Sequence, residues 1–196
     1  QERKMRQPRA YAHYRRQRIQ DIISISERPE EVAERVVPGH WEGDLIVGKN
    51  HKSAMGTLVE RTTRLTLLVP LVAKDALAVR TAFAKAFSKI PKQFRKTLTY
   101  DRGSEMSEHK IFTKETKIQV YFADPYSPWQ RGTNENTNGL IRQYFPKGTD
   151  FSNVSIAAIK KAEHRLNTRP RKALGFYTPS EKFYELLTGR KIAIET

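Results

Sequence analysis

The chain has 196 residues, with 36 Lys+Arg against 21 Asp+Glu and a net charge of +15. It has no cysteine, which excludes a disulfide scaffold, a thiolate nucleophile and a Cys-based zinc site. A hydrophobic fraction of 38% with 10% aromatics excludes disorder throughout, no apolar run approaches the ~18 residues of a membrane span, and no secretory leader pattern is present. The surplus of cations points to a polyanionic partner, nucleic acid first, although ribosome-associated and membrane-surface proteins share this composition.

Residues 1–20 carry seven Arg/Lys against Glu2 alone and read as a basic arm or linker extending to about residue 35, with helix expected around 11–25. The start at Gln1 suggests a piece of something longer. A folded domain is expected over 36–190. Trp41–Gly48, Ala54–Thr62 and Leu65–Val72 have the composition of three serial strands, the last two joined by a tight Thr62-Thr63 link. Asp75 is placed to cap a helix in which Leu77, Val79, Ala82, Phe83, Ala86, Phe87 and Ile90 recur at helical spacing before Pro91. Thr97–Tyr100 then reads as a strand, Glu105–Lys117 as a polar helix, and Ile118–Ala123 as another strand. Helices are predicted over Thr133–Tyr144, Asn153–Asn167 and from Thr178, where Thr178-Pro179-Ser180-Glu181 carries a capping signal. This order implies an α/β fold with a mixed five-stranded sheet and helices on both faces, the later strands parallel to the first.

The nearly neutral stretches stand out in so basic a chain. Alternation in the first strand puts Glu42, Asp44 and Ile46 on one face and Trp41, Gly43, Leu45 and Val47 on the other, which makes Trp41 a core residue. Asp44, flanked by apolar residues, needs a partner or solvent. Asp101 follows a strand at the position where open α/β sheets place ligands, but also where Asp-x-Gly turns occur. Glu135 falls in the first turn of a helix, where the dipole favours a carboxylate whether or not it has a ligand. Each alone has an ordinary structural explanation. Together they place two Asp and a Glu, with 33 residues between the second and third, at one end of the sheet. Three hard oxygen donors with open positions suit Mg²⁺, or Mn²⁺ as a substitute. Two such ions ~4 Å apart would clamp the attacking and leaving oxygens of phosphoryl transfer.

Three blocks carry a family resemblance: Gly39-His40-Trp41-Glu42-Gly43-Asp44-Leu45, Thr99-Tyr100-Asp101-Arg102-Gly103-Ser104-Glu105, and Pro125 through Asn136, containing Trp129-Gln130-Arg131-Gly132-Thr133-Asn134-Glu135. They resemble the DDE catalytic core of insertion-sequence transposases, closest to the insertion-sequence-thirty family within the retroviral-integrase superfamily of ribonuclease-H-like folds. The resemblance spans about residues 25–188. It implies that Asp44, Asp101 and Glu135 are catalytic and metal-binding, and that strands at transposon ends are hydrolysed or transferred with water or a 3′-hydroxyl as nucleophile. It also implies double-stranded DNA as partner, a homo-oligomeric active complex, and a bacterial, cytoplasmic, nucleoid-associated setting. The amino-terminal helix-turn-helix region through which such transposases read their terminal repeats is missing from these residues.

Arg142, seven positions after Glu135, resembles the cation that follows the family's glutamate and would grip a phosphate; a surface arginine is the alternative. Trp129 beside Arg131 would stack on an unpaired base, with a core role for Trp129 as the alternative. Arg102 and Lys147 complete the candidate DNA contacts. Glu42, Glu105, Glu108 and Asp124 are competing carboxylates, Glu42 foremost because it shares a face with Asp44. A structure-specific nuclease of the same fold, such as a ribonuclease H or junction resolvase, and a non-catalytic nucleic-acid-binding module derived from a transposase are the alternative functions.

Overall fold

The computed structural model describes residues 19–190; the basic arm over 1–18 lies outside them. Five strands form one mixed sheet in the order β3-β2-β1-β4-β5. Strands β1 (His40–Val47), β2 (Ala54–Glu60) and β3 (Thr66–Pro70) make an antiparallel meander, while β4 (Thr97–Tyr100) and β5 (Gln119–Phe122) run parallel to β1. The meander and the parallel addition are as predicted. The second strand ends two residues before its expected limit because the Glu60 carboxylate folds back to accept the Thr63 N–H at 2.6 Å and the Thr63 hydroxyl at 2.8 Å. Arg64, at φ +64°, then turns the chain into β3.

Helices cover both faces. Helix α2 (Ala76–Phe87) is capped by Asp75, whose side chain accepts the Ala78 N–H. With α3 (His109–Thr116) it buries Val79, Phe83, Phe87 and Phe112 against Trp41, Leu58, Leu98 and Tyr100. Trp41 is fully buried, its indole N–H donating to the Phe94 carbonyl at 2.8 Å. The polar helix expected over Glu105–Lys117 is divided: Ser104–Met106 is a 3-10 turn, and Glu108 leaves helical geometry before α3 begins. The Tyr100 ring packs directly over Gly43, where a Cβ would stand 2.9 Å from it.

On the opposite face α4 (Gly132–Ile141) and α5 (Ile156–Asn167) bury Ile141, Ile159, Ala162 and Leu166 against Ile46, Met55 and Leu68. α5 starts at the Ser155 cap and not at Asn153, because Asp150 caps a separate turn over Phe151–Asn153. Its side chains also close the sheet edge at β3. Asn167 accepts the Thr66 N–H at 2.8 Å and donates to the Thr66 carbonyl at 2.7 Å, and Glu163 accepts the Leu68 N–H at 2.7 Å. Pro70 has no N–H to offer, so the outward donors of this edge are spent within the chain. Helix α6 (Pro179–Thr188) opens with the predicted capping box between Thr178 and Glu181.

The helix expected around 11–25 is absent from its described part. Ile23 accepts the Phe122 N–H at 2.8 Å, Ser24 bridges to Phe122 alongside β5, and Ile25–Glu27 is a 3-10 turn. Residues 29–35 hold a single helical turn, α1 (Glu31–Glu34), with Val32 buried. The segment expected as the end of an arm is therefore docked on the domain. Among the described residues no helix is long and apolar enough to cross a membrane.

Candidate active site

Asp44 lies in β1, opposite Thr57 of β2, and Asp101 directly follows β4, the neighbouring parallel strand. The two carboxylates share one cation. Arg131 Nη1 stands 3.5 Å from Asp44 Oδ1, and Nη2 donates to Asp101 Oδ2 at 3.1 Å. Nη1 also donates to the Gly43 carbonyl at 3.2 Å. Burial pushes the Asp44 carboxyl up from its ordinary value; Arg131 opposes the shift and Asp101 adds to it. Glu105 is also pushed up by burial, with the charges of Asp101 and Asp44 adding to the shift.

Glu135 is exposed in the first turn of α4. It lines a cleft of about 200 Å³ with Asp44, Pro128, Arg131 and Asn138. Asp101 opens into an adjoining cleft of about 250 Å³, whose walls include Arg102, Tyr126 and again Arg131. Arg131 and Pro128 line both clefts. All three predicted carboxylates come to one end of the sheet, and Asp44 and Asp101 converge on a single positive group. Among the described residues no three of His, Cys, Asp and Glu are grouped to enclose an ion in this arrangement. The donors are carboxylate oxygens, which suit a hard divalent cation.

The face of α4 against the sheet is built from asparagines. Asn138 donates from Nδ2 to Asp44 Oδ2 at 2.8 Å, and its Oδ1 lies 3.2 Å from the Thr57 hydroxyl. Asn134, fully buried one turn earlier, places its Oδ1 3.1 Å from the same hydroxyl. The Asn134 backbone N–H donates to Glu42 Oε2 at 2.8 Å. Glu42 itself is fully buried and ion-paired with Arg61, itself almost fully buried. The competitor nearest Asp44 is therefore committed to anchoring the start of α4 to β1. The pairing of Asp44 with Asn138 was missed in the sequence. The available signal was helical: three asparagines over 134–138 are poor helix formers, and in a helix they need a structural reason.

The candidate DNA contacts divide into two groups. Trp129 is 72% exposed, so the core alternative is not realised, and Tyr126 beside it is 95% exposed in a left-handed conformation at φ +58°. Lys147 is exposed, in a turn closed by Thr149 onto the Pro146 carbonyl. Arg102 reaches across its loop, donating to the Ala123 carbonyl at 3.1 Å and Asp124 at 3.3 Å. Arg142 points inward, its Nη2 donating to the Val47 carbonyl at 3.0 Å, and Arg131 is turned onto the carboxylates.

The integrase core domain family model matches residues 35–128. The transposase for insertion sequence element IS1086 of Cupriavidus metallidurans is 46% identical over 187 residues, covering 95% of this chain and 55% of that protein. Transposase InsI for insertion sequence element IS30A of Escherichia coli is 49% identical over 157 residues, covering 80% of this chain and 41% of its own length. The chain spans about half the length of these curated relatives. Among solved structures, the catalytic core domain of BIV integrase superposes with a TM-score of 0.60 at 21% identity, over 77% of this chain and 97% of that one. A chain of the simian T-cell lymphotropic virus intasome in complex with PP2A regulatory subunit B56 gamma gives 0.63 at 15% identity, over 81% and 57%. The predicted ribonuclease-H-like fold is that of the retroviral integrase catalytic cores.

Proposed function

The chain belongs to the insertion-sequence-thirty family of transposases with an integrase-like core, and from that premise we propose that it carries the strand-cutting and strand-joining centre of DNA transposition, with Asp44, Asp101 and Glu135 as the catalytic, metal-holding carboxylates. The observation that carries the proposal is the convergence of Asp44 and Asp101, from adjacent parallel strands, on Arg131, which also lines the cleft that Asp44 shares with Glu135. Mg²⁺, replaceable by Mn²⁺ and bound as two ions, would be held by these three side chains and would supply charge stabilisation to a phosphodiester in reaction. Asn138 holds Asp44 in one orientation through a fixed amide, and Glu42 ties the first turn of α4, and so Glu135, to β1. Trp129 and Tyr126 present faces on which an unpaired base stacks, Arg102 lines the cleft beside them and exposed Lys147 offers a further phosphate contact, while Arg131 and Arg142 would meet phosphates only on leaving their present partners. In the reaction a water or a DNA 3′-hydroxyl attacks phosphorus, the 3′ oxygen leaves, and no bond to the protein forms. The partners are double-stranded DNA, at element ends and target, and further copies of the chain that bring two ends together.

The test uses the full-length transposase and a terminal-repeat oligonucleotide with Mg²⁺. Asp101→Asn is expected to abolish both nicking and strand transfer; retained activity would overturn the assignment. Supplying a target duplex separates this reading from a nuclease of the same fold, which cuts without giving joined products.

A further inference from the structure

Arg131 lies one helical turn before Glu135, with its side chain 15% exposed and its Nε buried without a hydrogen-bond partner. The guanidinium is therefore committed to the Gly43 carbonyl and the two carboxylates. Asp44 Oδ1 and Asp101 Oδ2, which face it, are oxygens that an ion shared between Asp44 and Asp101 would use. A planar guanidinium spanning both and a hard cation bound between them would compete for the same oxygens and the same space, and their like charges repel.

We propose that Arg131 is a built-in competitor for the divalent metal: it neutralises the Asp44–Asp101 pair in the metal-free chain, and its guanidinium must leave before an ion shared by these carboxylates enters. This rests on the reading of Asp44, Asp101 and Glu135 as metal ligands. The chain then has a closed state and a metal-competent state that differ in where one cation sits. Apparent metal affinity is lowered by the cost of moving it, as with any site whose competent state is a fraction of the whole. Arg131 also lies on the short turn between the exposed Trp129 and the first turn of α4.

Mn²⁺ titration of the 196-residue chain, read by loss of the free-ion electron paramagnetic resonance signal and by calorimetry, tests this without any activity assay. Arg131→Gln removes the charge at similar length and is expected to bind Mn²⁺ more tightly by at least about 5-fold, the lower end of common coupling between sites. Arg131→Lys keeps a charge but lacks the fork that spans two carboxylates, so it should fall between parent and Arg131→Gln, and it serves if the glutamine variant does not fold. Equal or weaker binding in both variants would overturn the proposal, since competition requires a gain. A second substitution separates this failure from failure of the ligand assignment. Asp44→Asn added to Arg131→Gln should abolish the gained binding; a gain that survives would show that the metal sits elsewhere and would overturn the carboxylate assignment.

Discussion

Asn138 holds Asp44: its Nδ2 donates to Asp44 Oδ2 at 2.8 Å, while the Thr57 hydroxyl, opposite Asp44 in the sheet, lies 3.2 Å from the other end of the amide and 3.1 Å from that of Asn134. An oriented carboxylate is a better ligand than a free one, and loss of such a supporting contact typically costs about 10–100-fold in metal affinity or activity. Asn138→Ala should lower metal-dependent strand cleavage by a factor in that range with little change in melting temperature. Asn138→Asp should be worse, because it sets a second carboxylate against Asp44. Cleavage rates of the full-length proteins, beside thermal melts, check both.

Glu42 and Asp44 share a strand face, and substitution should separate them by what fails. Glu42 is fully buried, paired with Arg61 and with the Asn134 N–H. Breaking a buried pair from one side costs about 3–5 kcal/mol, so Glu42→Gln should lower stability heavily, with activity lost through unfolding. Burial opposes the charge of Asp44 and raises its pKa. Asp44→Asn should cost less, about 1–3 kcal/mol, since it relieves a buried charge but turns its NH2 toward one of the two N–H donors now on the carboxylate, while cleavage disappears. Denaturant unfolding and cleavage assays on the two variants give the comparison.

Much of this was legible in the sequence because it is local. Period-2 alternation set the faces of β1 correctly, so Trp41 went to the core and Glu42, Asp44 and Ile46 to the α4 side. Asp75, Thr178 and Glu181 announced their helix starts by capping chemistry. What stayed hidden depends on side chains meeting across long sequence separations. Arg131 on Asp101, Asn138 on Asp44 and Asn167 on Thr66 join residues 30, 94 and 101 positions apart, and no periodicity marks them. The same limit explains Arg142. Its spacing from Glu135 suggested a phosphate contact, whereas its inward path to the Val47 carbonyl depends on where β1 ends.

His40 should make the domain sensitive to mild acid. Its ring is buried at the start of β1, with Nδ1 2.9 Å from the Thr97 hydroxyl and Nε2 facing Glu31 at 3.2 Å. Burial lowers its pKa from the ordinary 6.5, with Glu31 opposing the shift and Lys96 and Arg28 adding to it. The unfolded chain then takes up the proton first, so stability is complete above 6.5 and falls as pH drops from there through the folded value. Melting temperatures from about pH 7 to about pH 5 should decline more steeply for the parent than for His40→Gln, which has no proton to gain. Parallel curves would show that another group governs the slope.

Asn167 should protect the sheet edge as well as stabilise it. Both of its hydrogen bonds go to the backbone of Thr66, which it buries, so Asn167→Ala leaves a donor and an acceptor without their partner. Unsatisfied buried groups cost about 1–3 kcal/mol each, so a loss of roughly 2 kcal/mol or more is expected in denaturant unfolding. The opened N–H of Thr66 also gives β3 a free edge donor in a strand whose Leu67, Leu68 and Val69 favour further pairing. Light scattering during mild heating should therefore show Asn167→Ala aggregating at a lower temperature, relative to its own melting midpoint, than the parent. Asn167→Asp separates the two effects. It keeps the acceptor for the Thr66 N–H but loses the donor to the Thr66 carbonyl, so it should lose stability while the edge donor stays covered and aggregation stays near the parent's.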